Sequence, residues 1–276
     1  MQHADRINTE PSPAAGGRKI RLMSFNIQVA IASTRTRHYL THSWKHILPH
    51  SQCLDNLDRI AQVVSDYDIV GLQEVDGGSL RSHFVNQVEY LARHGQFPFW
   101  YNQTNRNLGK FAQHSNGILS RFKPSEVTEY KLPGMMPGRG ALMARFGPHD
   151  HSLALFLVHL ALGKRARQYQ LDFIGELVSD YSHACVMGDF NCTLDSAEMR
   201  QLLKRTDLCA PEETHLTFPS WRPARNIDHI LTTSAVAVEE VKVVNEALSD
   251  HLPIAMEIAL PQAPPLNEDG LLSGPG

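Results

Sequence analysis

The run LALFLVH (153–159) is apolar until it stops at His159. The run CVMGDFN (185–191) stops at a carboxylate and an amide with one phenylalanine between them. This pattern, a short apolar run closed by a polar side chain, most limits the folds open to the chain. Such runs have strand length and fall far short of a membrane span. Asp189 and Asn191 stand at i and i+2. An extended chain points both to one side, where they can face a single substrate.

The alternation continues along the chain. IRLMSFN, DIVGLQE, NGILS, ALMARF, IDHILTT, VEEVKVV and PIAMEIAL read as further strands. Between them, CLDNLDRIAQVV sets Leu54, Leu57, Ile60, Ala61 and Val64 on one helical face. FVNQVEYLARHG reads as a helix stopped by glycine. RARQYQLDFIGELVS turns Phe173, Ile174, Leu177 and Val178 inward, and SAEMRQLLKR is a fourth helix. About ten strands are too many for one small sheet. Consecutive strands predict antiparallel pairs, and strand–helix–strand units predict parallel ones. Two packed mixed sheets with helices outside, or one large mixed sheet, both satisfy the pattern.

The chain has 276 residues, 42% hydrophobic and 20% charged, which suits one globular domain. Residues 1–17 and 262–276 lack a periodic apolar face and read as disordered tails around a domain at 18–261. A net charge of −3 argues against coating nucleic acid by bulk charge but leaves room for a local basic groove. The four cysteines form no CxxC, which weighs against zinc and disulfides and favours thiols in a reducing compartment. There is no apolar leader and no transmembrane run, so the expectation is a cytoplasmic protein.

Set side by side, the strand ends share a chemistry. They carry Asn26, Glu74, His159, and Asp189 with Asn191; Asp228 and the run Ser249-Asp250-His251 follow. Sites in open α/β sheets commonly lie just beyond strand ends. These residue types suit metal-assisted attack on an anionic ester. Hard cations take few carboxylate and amide oxygens, which makes Glu74 the best metal ligand, with Asn26 near it. Asp189 is placed to position or deprotonate water, and Asn191 to donate to a phosphoryl oxygen. His159 and His251 are candidate acids, bases or charge donors, with Asp228 orienting His251. Asn116, Arg121, Arg139 and Arg165, with Lys164 and Arg167, are weaker candidates for a phosphate-binding rim. For the last three, a solvated helix face is an equal alternative.

The ordered set FN, LQEVD, VHL, GDFN, NIDHI and SDH resembles the endonuclease/exonuclease/phosphatase superfamily. NGILSR, from Asn116 to Arg121, and GRGAL, from Gly138 to Leu142, resemble its intermediate segments. The resemblance implies a four-layer α/β/β/α sandwich of two packed mixed sheets and a divalent cation, Mg²⁺ or Mn²⁺. By position it implies Glu74 as metal ligand beside Asn26, and Asp189 and Asn191 at the nucleophile and phosphoryl group. It also implies Asp228 holding His251, and Asp250 next to metal and phosphate. His159 matches the histidine of the deoxyribonuclease I, sphingomyelinase and phosphatase branches. Two departures tilt away from abasic-site repair: Gln28 stands where repair nucleases carry an acid, and VHLALG where they carry a tyrosine-containing segment.

The expected activity is in-line attack of an activated water on a nucleic-acid or phospholipid phosphodiester. One alternative is a phosphomonoesterase acting on a phosphorylated small molecule or inositol lipid. Another is an inactive homologue that binds a phosphorylated ligand or a protein. That last reading predicts the loss of a main site residue, and all are present. The basic, aromatic stretch 33–50 follows the Asn26 strand end and suits nucleic acid, lipid head groups or a surface helix equally. The HDH at 149–151 reads as loop.

Overall fold

The structure, a computed structural model, describes residues 18–30, 52–79, 82, 84–107, 113–134, 138–148 and 152–260. Both tails, the 33–50 stretch and the HDH at 149–151 lie outside these residues. Strand β1 (Arg18–Asn26) runs through a short 3₁₀ turn (Gln28–Ala30), and helix α1 (Gln52–Val64) leads into β2 (Ile69–Asp76). Helix α2 (Gln87–His94) is followed by β3 (Phe99–Asn107), β4 (Gln113–Ser120), β5 (Glu126–Lys131), β6 (Gly140–Phe146) and β7 (Leu153–His159). Next come α3 (Lys164–Val178), β8 (His183–Asp189), α4 (Ala197–Arg205) and β9 (Leu208–Cys209). Strands β10 (Asp228–Thr233), β11 (Ala237–Val243) and β12 (Ile254–Leu260) end the described chain.

Two six-stranded sheets form, ordered β11-β12-β1-β2-β4-β3 and β5-β6-β7-β8-β10-β9. Each holds one parallel pair, β1 with β2 and β7 with β8. These are the two pairs joined through a helix, as a crossover requires. Strand residues alternate between two destinations. Leu22, Ile69, Leu155, Leu157, Met187 and Ile230 meet between the sheets. Phe25, Val70 and Leu72 turn out to Leu57, Ile60 and Val64 of α1 and to Leu91 of α2. Phe156, Val158 and Val186 turn out to Ile174 of α3 and Leu202 of α4. The four layers are therefore α/β/β/α. Each fully buried aliphatic side chain contributes roughly 1.5–3 kcal/mol. The sheets approach so closely at Gly71 that an added Cβ would lie 2.5 Å from Leu157 Cδ1 and 2.6 Å from Met187 Cε.

Local chemistry sets the helix ends. Asn86 caps α2 by accepting from the N–H groups of Val88 and Glu89, so the helix begins after the FVN of the sequence pattern. Ser196 caps α4 through Met199 N–H. Two expectations are corrected. Leu54 is exposed, because it lies off the face of α1 that carries buried Cys53, Leu57, Ile60 and Val64 and turns out with Asp55 and Asp58. Strands β3 and β5 escaped notice because they are sheet edges rich in polar residues; β5 alternates only between exposed and half-buried.

Arg167 and Glu198 tie α3 to α4. The guanidinium donates to Glu198 Oε1 at 2.8 and 3.2 Å, and also to the carbonyls of Ala161 and Leu162. Both residues are buried, so removing one charge strands the other. Burial opposes ionisation of Glu198, but its own backbone N–H, Arg167 and Lys164 together hold it below the usual carboxylate range. Glu198→Gln is expected to destabilise the protein at neutral pH by about 3 kcal/mol. A depressed folded pKa gives stability that is present above the ordinary carboxylate range and is lost as pH falls through the lowered value. The gap between wild type and variant in thermal melts should close over that acid window. A gap that stays constant into acid would remove the ion pair as its cause.

Candidate active site

The C-terminal ends of both parallel pairs face each other across the inter-sheet core. Asn26 ends β1, and His159 and Asp189 end β7 and β8 as register partners. Asp228 opens β10 opposite Asp189 on the other side. The carboxylate of Asp189 is the hub. Its Oδ2 accepts from Asn26 Nδ2 at 3.1 Å and lies 3.5 Å from His159 Nε2 and 3.9 Å from His251 Nε2. Its Oδ1 accepts from Asn191 N–H at 2.9 Å. Asn191, with φ 53°, turns back so that its Nδ2 donates to Leu160 O at 2.9 Å, leaving a second amide hydrogen.

Glu74 reaches the site through a break in strand regularity. Leu72 faces the helices, so strict alternation would send Glu74 the same way. The β2–β4 register shifts between Leu72 and Val75, and Glu74 takes φ 56°. A bulge re-aims a side chain, and here Glu74 Oε1 comes 3.9 Å from His159 Nε2 on the opposite sheet.

His251 and Asp228 form a buried dyad, with Nδ1 at 2.9 and 3.1 Å from the two carboxylate oxygens. Thr217 Oγ1 donates to the same carboxylate, and the Phe218 ring lies 4.8 Å from the imidazole. Asp250 sits beside them, buried, accepting from Ser249 Oγ at 3.1 Å.

Electrostatics separates these groups. Burial, then Asp228, pushes Asp189 above the usual carboxylate range; His251, Asn191 N–H and Asn26 pull the other way. Burial, then Arg139, His251 and His114, drives His159 well down, which keeps its imidazole neutral. Burial also opposes the charge of His251, but Asp228, Asp189 and Asp250 outweigh it and raise its pKa. One neutral imidazole and one imidazolium therefore flank one carboxylate. Environments that push titratable groups apart in this way suit acid–base division of labour.

The donors suit a hard divalent cation. Burial, then Glu74, raises Asp250 against the pull of His251, so a cation here would favour its ionised form. Asn116 Oδ1 is buried here without a hydrogen-bond partner. Asp189, Asp228 and His251 offer ligand atoms within 4.8 Å of one another. Asp228 is already committed to His251 and Thr217, which leaves Glu74 and Asp250 Oδ2 as the more open oxygens, with Asn26 Oδ1 beside them accepting from Gln28 N–H at 3.2 Å and keeping a second lone pair.

The rim expectations divide. Arg139 lies within the electrostatic reach of Glu74 and Asp189. Asn116 is buried at this end and donates to Gly140 O at 3.2 Å. Arg121 is corrected. It follows β4, which is antiparallel to β2, and so lies at the far end, donating to Tyr67 O and Ser65 O over the Phe97 ring. Arg165 is exposed in the first turn of α3, outside the cluster, and Arg167 is consumed by Glu198. Sequence reasoning missed Thr217, Phe218 and His114. The first two precede the NIDHI segment at no diagnostic spacing, and His114 lies in a polar strand start.

A family model described as the Endonuclease/Exonuclease/phosphatase family matches residues 23–251. No curated protein matches the chain. Among solved structures, an endonuclease/exonuclease/phosphatase from Beutenbergia cavernae is similar, with 20% identity over 88% of this chain and 72% of that one, at a TM-score of 0.68. A mannosyl-6-phosphatase from Bacteroides thetaiotaomicron shares 18% identity over 87% and 100% of the two chains, with a TM-score of 0.65. D. rerio TDP2, solved with a single-strand DNA product, shares 18% over 87% and 98%, with a TM-score of 0.63.

Proposed function

The chain belongs to the endonuclease/exonuclease/phosphatase family of metal-dependent phosphoric-ester hydrolases, and from that premise we propose that it is a phosphodiesterase. The observation that carries the reading is the convergence of Asn26, His159 and His251 on the single carboxylate of Asp189. Its substrate is a nucleic-acid or phospholipid diester. Asp189 accepts a proton from the attacking water and holds it in line with the leaving oxygen. Asn191 donates its second amide hydrogen, and the His251 imidazolium its Nε2–H, to the phosphoryl oxygens as charge builds. Asp228 fixes the tautomer of His251 by accepting from Nδ1. Neutral His159 contributes a ring N–H to the same oxygens. Glu74, Asn26 and Asp250 would hold the cation. Bound Mg²⁺ or Mn²⁺ supplies Lewis-acid stabilisation of the phosphoryl charge. Residues 18–261 form the catalytic unit. A cytoplasmic setting is part of the proposal, supported by thiols at Cys185, Cys192 and Cys209 and by the lack of a membrane-spanning helix among the described residues.

The test is hydrolysis of an aryl phosphodiester and its matched monoester with Mg²⁺ and Mn²⁺. The diester should turn over faster, and only with metal. Glu74→Ala should lose both this turnover and the metal-dependent rise in melting temperature. Faster monoester cleavage would move the enzyme to the phosphatases, a class represented among its fold relatives by the mannosyl-6-phosphatase. A metal-dependent rise in melting temperature without turnover of either ester would favour a binding homologue.

A further inference from the structure

Six large hydrophobic side chains among the described residues are exposed: Leu54, Phe84, Leu162, Tyr169, Leu216 and Val238. Their placement is uneven. Leu162 follows His159 directly after β7, and Phe84 lies in the segment between β2 and α2. Leu216 adjoins Thr217, the partner of Asp228. Leu54 and Tyr169 occupy the first two turns of α1 and α3, which descend from the same end. Only Val238, on the edge strand β11, lies elsewhere. At the opposite end of the sheets, the connecting segments tuck their apolar residues in: Tyr67, Phe97, Phe122 and Val236 are all buried. The exposed apolar side chains therefore belong to the catalytic end. Leu162 is 75% exposed and Phe84 62%, so these are projecting side chains rather than shallow surface contacts.

Basic groups stand next to two of them. Exposed Lys164 and Arg165 follow Leu162, whereas Leu216 lies between exposed Glu212 and Glu213 on one side and exposed Arg222 and Arg225 on the other, with Arg225 over the Phe218 ring at 5.9 Å. The loop carrying the latter pair is packed onto the site: Ser220 N–H donates to Asp250 O at 2.8 Å, and Leu252 N–H to Thr217 O at 2.8 Å. Apolar tips flanked by cations suit a surface with an apolar interior and anionic head groups. A single-stranded nucleic acid fits less well, because the two tips that stand by the basic groups, Leu162 and Leu216, offer no ring for a base to stack on.

We propose that the catalytic end docks on an anionic lipid surface. Leu162, Leu216 and Phe84 enter the interface, and Lys164, Arg165, Arg222 and Arg225 meet head-group phosphates. The substrate is then a phosphodiester presented by a lipid, a statement that rests on the phosphodiesterase reading; the docking itself does not.

The experiment uses the full chain. Co-sedimentation is measured with phosphatidylcholine vesicles, with and without phosphatidylglycerol, for wild type, Leu162→Ser/Leu216→Ser and the control Val238→Ser. Soluble aryl-diester turnover is measured beside it. Wild type and the control should bind the anionic vesicles. The double variant should bind more weakly by about tenfold per leucine lost from the interface, with unchanged melting temperature and unchanged aryl-diester turnover. Wild type that cleaves the aryl diester but does not sediment overturns the docking. So does a double variant that sediments like wild type. A double variant that instead loses binding to a single-stranded oligonucleotide, or changes its oligomeric state, overturns it in favour of that partner. Vesicle binding without diester turnover keeps the docking and removes the phosphodiesterase reading.

Discussion

Asp189→Asn is expected to lower kcat/KM for an aryl phosphodiester by about 10³–10⁴-fold, in keeping with the loss of a general base on which other groups act as a unit. The amide keeps the shape of the carboxylate but only one acceptor, so it can serve Asn191 N–H or Asn26 Nδ2 but not both. What it removes is proton affinity and charge, both of which the surrounding groups are arranged to use. Asn26 Nδ2, His159 Nε2 and His251 Nε2 all approach the same Oδ2. Stability should move the other way. Wild-type Asp189 is buried beside Asp228, and both burial and that charge disfavour its ionised form. The variant should therefore melt at or above the wild-type temperature when metal is chelated, because relief of the buried charge outweighs the one hydrogen bond lost. His251→Ala should lose activity on a similar scale, and combining it with Asp189→Asn should cost far less than the product of the two losses. Initial rates over a substrate range, with melts on the same samples, check both halves. Full activity in Asp189→Asn would mean that the hub of the site lies elsewhere.

Gly188→Ala is expected to be more damaging than the same change at Gly71, Gly117 or Gly140, where the added methyl meets side chains. Gly188 pairs with Val158 across the parallel β7–β8 ladder and takes φ +146°. An added Cβ would lie 1.9 Å from the Val158 carbonyl oxygen, 2.9 Å from its carbon and 3.1 Å from its nitrogen. All three are backbone atoms of a buried strand, so no side chain can rotate away. Both the contact and the dihedral exclude alanine, and the loss of stability should exceed about 4 kcal/mol, a size reserved for such mechanisms. For a domain of this size that is a fall in melting temperature of roughly 10 °C or more, or no soluble protein at all. The same close approach sets His159 beside Asp189, so whatever folds should also lose activity. A variant that melts within a few degrees of wild type would show that the two strands can part without cost.

The two positions explain why some of this protein could be read along the chain and some could not. GDFN announces itself, because an apolar run ends in side chains that a core strand has no reason to carry. The same holds for Asn26 and His159, where strand periodicity already points the chemistry to one end. Glu74 was legible as a residue type but not as a direction; regular alternation aims it at the helices, and only the bulge opposite β4 turns it to His159. Arg121 shows the converse. Its place in a familiar segment suggested a phosphate contact, yet an antiparallel strand carries its two ends to opposite sides of the sheet, and Arg121 lies at the wrong one. Arg167 looked available until Glu198, thirty-one positions away, was brought against it. The edge strands β3 and β5 were lost for a different reason: their pairing rests on one neighbour's backbone, which leaves little mark on side-chain composition.

By itself the sequence determined what is local or periodic: the short apolar strands, the helices, and the polar residues that close each strand. Those follow from dihedral preference, side-chain alternation and burial, which act over a few residues. The tertiary structure alone decided which ends meet, how Glu74 is aimed, which arginines are spent on structure, and which charge state each histidine holds. Those depend on distances between residues far apart in the chain, where a shift of a few ångströms across a buried, low-dielectric gap decides whether two groups interact at all.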